Sequence, residues 1–153
     1  MTRTILLLIY ALFAATTVSA NDGSERFIER FDLANGQSVI VEEGILEARS
    51  IGSFTIRLYA AAPPGDDTTF FLDGLVVARQ GTIEAVKFAD VDCDKNDDII
   101  VVSRSVGTGG YLSVYAFKSE DNHLIAIKTE EGLLSDADPV GLIKCSFGDV
   151  EKE

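Results

Sequence analysis

Residues 90–98 concentrate acidic side chains in one short segment. Its order, D-V-D-C-D-K-N-D-D, places carboxylates at positions 1, 3, 5 and 9, a spacing that resembles loops in which hard oxygen ligands converge on calcium. Lys95 stands where such loops carry their turn glycine, and no glutamate follows at position 12. The segment is therefore either a solvated acidic turn without a metal or a calcium site. We predict no metal and no other cofactor; the ligands of a calcium site would be Asp90, Asp92, Asp94 and Asp98.

A second segment, residues 103–111, combines glycine with hydroxyl groups in the order S-R-S-V-G-T-G-G-Y. Glycine gives a thin backbone that can adopt positive φ, and serine, threonine and tyrosine hydroxyls can donate to carboxylates. Tyrosine also offers the large, fairly rigid area that is typical of binding hot spots. Composition alone allows either a glycine-rich hairpin turn or a binding loop. The candidate contact residues are Arg104, Ser105, Gly107, Thr108, Gly109, Gly110 and Tyr111.

Residues for catalysis are sparse. The chain has a single histidine, His123, and no nucleophile motif accompanies it; a Ser-His-Asp triad is thus arithmetically allowed but unsupported. There is no phosphate-binding glycine motif and no zinc-ligand pattern. Carboxylates are numerous, but no spacing selects an acid–base pair. We predict that the chain is not an enzyme and that His123 is an ordinary surface residue.

Segments of alternating or β-branched residues flank these loops. Asn35 and Gly36 separate two such segments and predict a hairpin, and Phe54, Ile56 and Leu58 alternate with polar residues as in a half-buried strand. We predict strands over 27–33, 38–43, 53–60, 69–79, 82–89, 99–103, 111–117 and 123–129, a turn at 80–81, and a helix over 136–144 capped by Ser135 or Asp136. This pattern predicts an all-β fold, an antiparallel β-sandwich of about eight strands with a short C-terminal helix.

The first 20 residues have the order of a secretory signal. Arg3 precedes an apolar run of 11 residues at 5–15, and small residues lead to Ala20. The run is too short for a comfortable membrane span. We predict that residues 1–20 are cleaved and that residues 21–153 form a single domain, periplasmic or secreted, without membrane association.

The charge balance restricts the partners. The chain has 13 basic and 25 acidic residues and a formal charge of −12; loss of Arg3, the one charged residue among the first 20, makes it more negative by one. Such a charge disfavours nucleic acid and anionic lipid. It favours a basic partner, although solubility explains acidity equally well.

Two cysteines, Cys93 and Cys145, lie in the predicted mature region. An oxidising compartment favours a disulfide between them, which would stabilise the fold by about 4 kcal/mol if unstrained. The alternative is two buried free thiols.

Four segments carry a resemblance to a known family. In order along the chain, residues 48–59, 88–92, 104–113 and 136–139 resemble the periplasmic inhibitors of invertebrate-type (I-type) lysozyme. The resemblance implies a β-sandwich in which one loop enters the lysozyme cleft and blocks the catalytic carboxylates. It places Thr108, Gly109, Gly110 and Tyr111 at the inserted tip, with Arg104 and Ser105 as support.

We therefore expect an inhibitor of I-type lysozyme from a Gram-negative bacterium, with a basic lysozyme as its partner. The alternative is a calcium-dependent adhesion or carbohydrate-binding module built on residues 90–98. A homodimer through an exposed sheet edge is compatible with the pattern but not required by it.

Overall fold

The computed structural model describes residues 26–66 and 68–145, and their strands form two antiparallel sheets of four. The first sheet has the order β1-β2-β3-β4 and comprises β1 (Ile28–Asp32), β2 (Ser38–Glu43), β3 (Ile51–Tyr59) and β4 (Phe71–Gln80). The second has the order β5-β6-β7-β8 and comprises β5 (Thr82–Ala89), β6 (Asp98–Arg104), β7 (Leu112–Glu120) and β8 (His123–Leu133). The prediction of an all-β sandwich is confirmed. The predicted signal at residues 1–20 lies outside the described residues.

The main core lies between the sheets and follows the alternation in β3. Phe54, Ile56 and Leu58 are fully buried, whereas the residues between them are only partly buried. The ring of Phe54 meets those of Tyr115 and Phe117 edge-on, with centroids 5.3 and 6.2 Å apart. Burial of large side chains from both sheets is the principal force that holds the sandwich together.

A second core covers the opposite face of β6 and β7. Ile100, Val102 and Val114 pack there against Ile143 of α1 (Pro139–Ile143). β6 and β7 are therefore buried on both faces, which explains the continuous apolar run in β6. The two loops at the ends of β6 consequently start from a rigid strand.

The helix is shorter than predicted, and its predicted cap is wrong. Asp138 is the cap, because its carboxylate accepts the N–H of Val140 at 3.1 Å and Pro139 occupies the first turn. Ser135 and Asp136 instead lie in a turn closed by the N–H of Ala137 donating to the carbonyl of Leu134 at 3.0 Å.

The predicted turn at 80–81 is a change of sheet and not a hairpin, since β4 and β5 belong to different sheets. Gly81 has φ +79° and donates to the carbonyl of Ser50 at 2.9 Å. A Cβ on Gly81 would collide with the carbonyl oxygen of Arg104, at 1.8 Å. Only glycine fits at this corner, and the corner is thereby packed against the end of β6.

The predicted disulfide between Cys93 and Cys145 is present, with the two Cα atoms 5.5 Å apart. It joins the segment before β6 to the segment after α1, and so fixes the chain that covers the second core. No helix within the described ranges is long and apolar enough to cross a membrane.

Candidate functional site

Residues 105–111, named here the glycine loop, connect β6 to β7. The N–H of Ser105 donates to the carbonyl of Tyr111 at 2.8 Å, and Arg104 pairs with Leu112 in the ladder just below. The predicted loop between two strands is therefore a hairpin loop with a fixed base. Seven residues project from that base beyond the sheet.

The glycines of this loop have two different roles. Gly107 and Gly110 have positive φ, +134° and +54°, which other residues rarely adopt. Gly109 does not; its role is to allow a close approach, because a Cβ there would lie 2.4 Å from Cε2 of Tyr111. The Tyr111 ring is thus folded back across Gly109, and the residue remains 50% exposed.

Arg104, at the base of the glycine loop, holds the loop in place. Its guanidinium donates from Nε and Nη2 to the two carboxylate oxygens of Glu84, at 2.5 and 3.0 Å. Nη1 donates to the carbonyl of Gly110 at 2.9 Å and to that of Ser135 at 3.1 Å. One side chain therefore connects β5, the glycine loop and the turn after β8, in the fork geometry that suits arginine.

A bulge in β5 gives Glu84 this position. The register between β5 and β6 shifts between Ile83 and Ala85, and such an extra residue re-aims a side chain. The hydrogen bond from Arg104 lowers the pKa of Glu84 below its usual value. Glu84 is therefore ionised at neutral pH, and the pair retains its charges there.

The hydroxyl groups of the loop are available to a partner. Within the described residues, no hydrogen-bond partner contacts the hydroxyls of Ser105, Thr108 or Tyr111. Thr108 is exposed and Ser105 is partly buried. Val106, which sequence reasoning did not select, adds an apolar side chain that is 59% exposed. The loop thus offers hydroxyl donors and apolar area on a constrained backbone.

Residues 90–97, named here the acidic loop, lie at the other end of β6 and use their carboxylates internally. Asp90 accepts the N–H groups of Cys93 at 2.7 Å and Lys95 at 3.0 Å. Asp92 accepts the N–H of Asp94 at 3.2 Å and lies 3.3 Å from the ammonium of Lys118. These bonds use part of the acceptor capacity of the carboxylates within the loop itself.

Asp98, the first residue of β6, follows the acidic loop and is a buried carboxyl group, only 2% exposed. It accepts the N–H of Val91 at 2.8 Å. Burial, reinforced by the nearby charges of Asp92, Asp94 and Asp90, raises its pKa to about 6. Of the four carboxylates considered for calcium, the structure brings together three, Asp90, Asp92 and Asp98, with oxygens within 4.8 Å of one another. Asp94 is not part of that group; its Oδ1 accepts the N–H of Asn96 at 2.7 Å.

His123 lies on the surface, as predicted. Its side chain is 71% exposed and Nδ1 lies 3.4 Å from a carboxylate oxygen of Asp73. That carboxylate also accepts the N–H of Leu124 at 2.9 Å. The pair fastens the start of β8 to β4.

The family assignment comes from a match over most of the sequence. Residues 25–147 match the model of the family described as periplasmic lysozyme inhibitor of I-type lysozyme (PliI). The chain belongs to the PliI family. It is therefore an inhibitor protein and not an enzyme, and it is periplasmic, as predicted.

Two solved structures of PliI from Aeromonas hydrophila resemble the chain closely. The first is 38% identical with a TM-score of 0.71, and the match covers 77% of this chain and 99% of that one. The second, solved in complex with Meretrix lusoria lysozyme, is 37% identical with a TM-score of 0.71. This match covers 80% of this chain and 98% of that one. No curated protein gives a significant match. PliI membership favours inhibition over the alternative of a calcium-dependent module.

Proposed function

We propose that this PliI protein inhibits its lysozyme by inserting the glycine loop into the active-site cleft. The observation that carries the proposal is the state of Thr108 and Tyr111: their hydroxyls have no internal partner within the described chain, yet their backbone is held at both ends of the loop. Groups that the fold positions but does not use are available for recognition.

The chemistry of the target suits these hydroxyls. Lysozyme-type glycosidases generally place two carboxyl groups on either side of the scissile bond. A hydroxyl can donate to the ionised carboxylate or accept from the protonated one. Thr108 and Tyr111 would thereby displace the water or sugar that belongs between the acids, so that the substrate cannot bind.

The restraints on the loop support tight binding. Association loses free energy to the ordering of loops and side chains, and a segment that is already ordered loses less. Arg104 holds Gly110 through its carbonyl, and Gly109 lets the Tyr111 ring rest against the backbone. The loop would enter the cleft with little rearrangement, as a rigid tip supported by Arg104 and Ser105.

The family and the net charge of the chain support the choice of partner. The structure of PliI of Aeromonas hydrophila has been solved in complex with Meretrix lusoria lysozyme, and we assign the same class of partner to this chain. With a formal charge of −12, the chain would be attracted by a basic lysozyme, and attraction of this kind accelerates association at low salt. The association rate should therefore fall as salt is added.

The remaining expectations concern processing and assembly. Residues 1–20 would direct export and be removed, leaving residues 21–153 as one inhibitor domain. The mass of the secreted chain tests the cleavage site. A homodimer through an exposed sheet edge stays a prediction, and sedimentation of the mature chain with and without lysozyme tests it.

Replacement of the tyrosine tests the proposed role of the loop. We expect Tyr111→Ala to weaken inhibition by about 2–4 kcal/mol, the range of a hot spot. That loss is a rise of roughly 30- to 1,000-fold in the inhibition constant. The measurement is a titration of I-type lysozyme activity on cell walls with each purified variant.

Phe70→Ala is the matched control. Phe70 is an aromatic residue that is 82% exposed and directly precedes β4, at the end of that strand away from Gly81 and the glycine loop. The control should inhibit like the unmodified protein. Equal inhibition by the Tyr111 variant, with its melting temperature unchanged, would remove the glycine loop from the mechanism.

A further inference from the structure

We propose that residues 134–137, named here the leucine turn, form a second contact with the lysozyme, beside the glycine loop and at the rim of the cleft. The proposal rests on the proposed function, because it takes the glycine loop as the inserted element. Leu134 is the side chain that would make the contact.

The leucine turn and the glycine loop are neighbours held by one side chain. Nη1 of Arg104 donates both to the carbonyl of Gly110 at 2.9 Å and to that of Ser135 at 3.1 Å. A Cβ built on Gly110 would be 3.6 Å from Cβ of Ser135, an ordinary van der Waals contact. A protein that surrounds the tip of the glycine loop must therefore come close to the leucine turn.

The turn is held by its own hydrogen bond and by the segment that follows it. Its own hydrogen bond, from Ala137 to the carbonyl of Leu134, measures 3.0 Å. Pro139 and Ile143 are buried immediately afterwards, and the disulfide at Cys145 anchors the end of the segment. A contact made by this turn would therefore require little ordering on binding.

Leu134 is exposed where its neighbour is not. Leu133 packs against the second core, whereas Leu134 is 66% exposed. A single exposed leucine is common on protein surfaces. Here, however, it stands in a segment adjacent to a loop that also exposes Val106, at 59%, and Tyr111, at 50%. Two adjoining segments thus present apolar area at the same end of the sandwich.

The occupant that fits is the lip of the same lysozyme cleft. Residues around a binding hot spot exclude water from it, and each contributes modestly. Partial burial of one leucine side chain stabilises a contact by about 1 kcal/mol. Leu134 would play this part next to Tyr111, and its loss should be measurable but smaller than the loss of Tyr111.

Leu134→Ser tests the inference, with Leu142→Ser as its matched control. Leu142 is 53% exposed and lies in α1, further along the same covering segment. We expect Leu134→Ser to raise the inhibition constant about three- to tenfold without lowering the melting temperature. The control should leave both quantities unchanged.

A second variant covers the case in which serine disturbs the turn. Leu134→Lys keeps a long aliphatic stem but places a charge at the rim, and it should raise the inhibition constant at least as much as serine does, because burying an unpaired charge is unfavourable. If both Leu134 variants inhibit like the unmodified chain while Tyr111→Ala is weak, the leucine turn is not a contact but the glycine loop is. If Tyr111→Ala also inhibits fully, the proposed function itself fails.

Discussion

The two loops at the ends of β6 satisfy their polar groups in opposite ways. In the acidic loop, the carboxylates of Asp90, Asp92 and Asp94 accept N–H groups of the loop itself. In the glycine loop, the hydroxyls of Thr108 and Tyr111 have no partner in the described chain, and a side chain outside the loop, that of Arg104, supports the backbone. The carboxylates of the acidic loop are hydrogen-bonded within that loop. The backbone of the glycine loop is ordered, but its hydroxyl groups remain available as donors.

The proposed function would make the glycine loop a recognition loop and the acidic loop a structural one, and this difference indicates those roles better than composition does. From sequence alone the acidic loop has the more specific chemical pattern, and the glycine loop could be an ordinary turn. A loop whose side chains saturate its own backbone has few groups left for a ligand. A loop held from outside can keep its side chains for a partner.

Of the Arg104, Gly109 and Asp98 variants that test the difference between the two loops, the loss of the Arg104 guanidinium should weaken inhibition most. Arg104→Met keeps the aliphatic stem but loses the bonds to Glu84, Gly110 and Ser135. We expect inhibition to weaken about 10- to 100-fold, because the free loop becomes mobile and must be ordered on binding. Faster hydrogen exchange at residues 106–110 should accompany the loss.

Arg30→Met is the control for that experiment. Arg30 also makes an exposed carboxylate pair, with Asp32 at 3.1 Å, but it lies on β1 in the other sheet. Exposed pairs of this kind contribute little, so this variant should inhibit normally. Normal inhibition by Arg104→Met would contradict the idea that the loop is held from outside.

A smaller loss should follow Gly109→Ala. The backbone of Gly109 does not have positive φ, so alanine is not strained there, but its Cβ would collide with the Tyr111 ring. The ring must swing away, and we expect inhibition to weaken about three- to tenfold with no loss of melting temperature.

Gly109→Ala has a built-in control in the double variant with Tyr111→Ala. When the ring is absent, the alanine has nothing to displace, so the two substitutions should not add. Additive losses would show that Gly109 acts through something other than the position of Tyr111.

Asp98, which adjoins the acidic loop, should affect stability and leave inhibition unchanged. Because the pKa of Asp98 rises from its ordinary value of 3.8 to about 6, the folded chain retains this proton between those values while the unfolded chain releases it. The contribution of Asp98 therefore makes the protein less stable as pH rises from about 4 to 6, and is constant above that window. Asp98→Asn keeps an acceptor for the N–H of Val91 without a charge to bury.

We expect Asp98→Asn to raise the free energy of unfolding at pH 7 by about 1–2 kcal/mol. The difference from the unmodified chain should vanish towards pH 4. Urea unfolding at several pH values measures this, alongside the inhibition constant. If the free energy of inhibition changed by more than the free energy of unfolding, the idea that the two loops have separate roles would be contradicted.

Sequence reasoning was most successful where the pattern was local. Alternation in β3 placed Phe54 and its neighbours in the core, and the apolar run of β6 identified a central strand. The position of the glycine loop followed from the strands on either side of it. The disulfide between Cys93 and Cys145 was predicted from the expected oxidising compartment alone, without information on the distance between the two cysteines.

Features that depend on contacts between distant segments were not predicted. The sheet change at Gly81 depends on packing against Arg104, and the link from Arg104 to Glu84 depends on a bulge in β5. Glycines in the loop suggested positive φ, but Gly109 serves a close approach to Tyr111 instead. No single segment of the sequence contains these relations.

The most direct test is a crystal structure of this chain bound to an I-type lysozyme. We predict that the hydroxyls of Thr108 and Tyr111 lie within hydrogen-bond distance, about 2.5–3.0 Å, of the carboxyl groups that cleave the substrate. A complex in which that cleft is open to solvent and a different surface of the sandwich makes the contact would contradict the account.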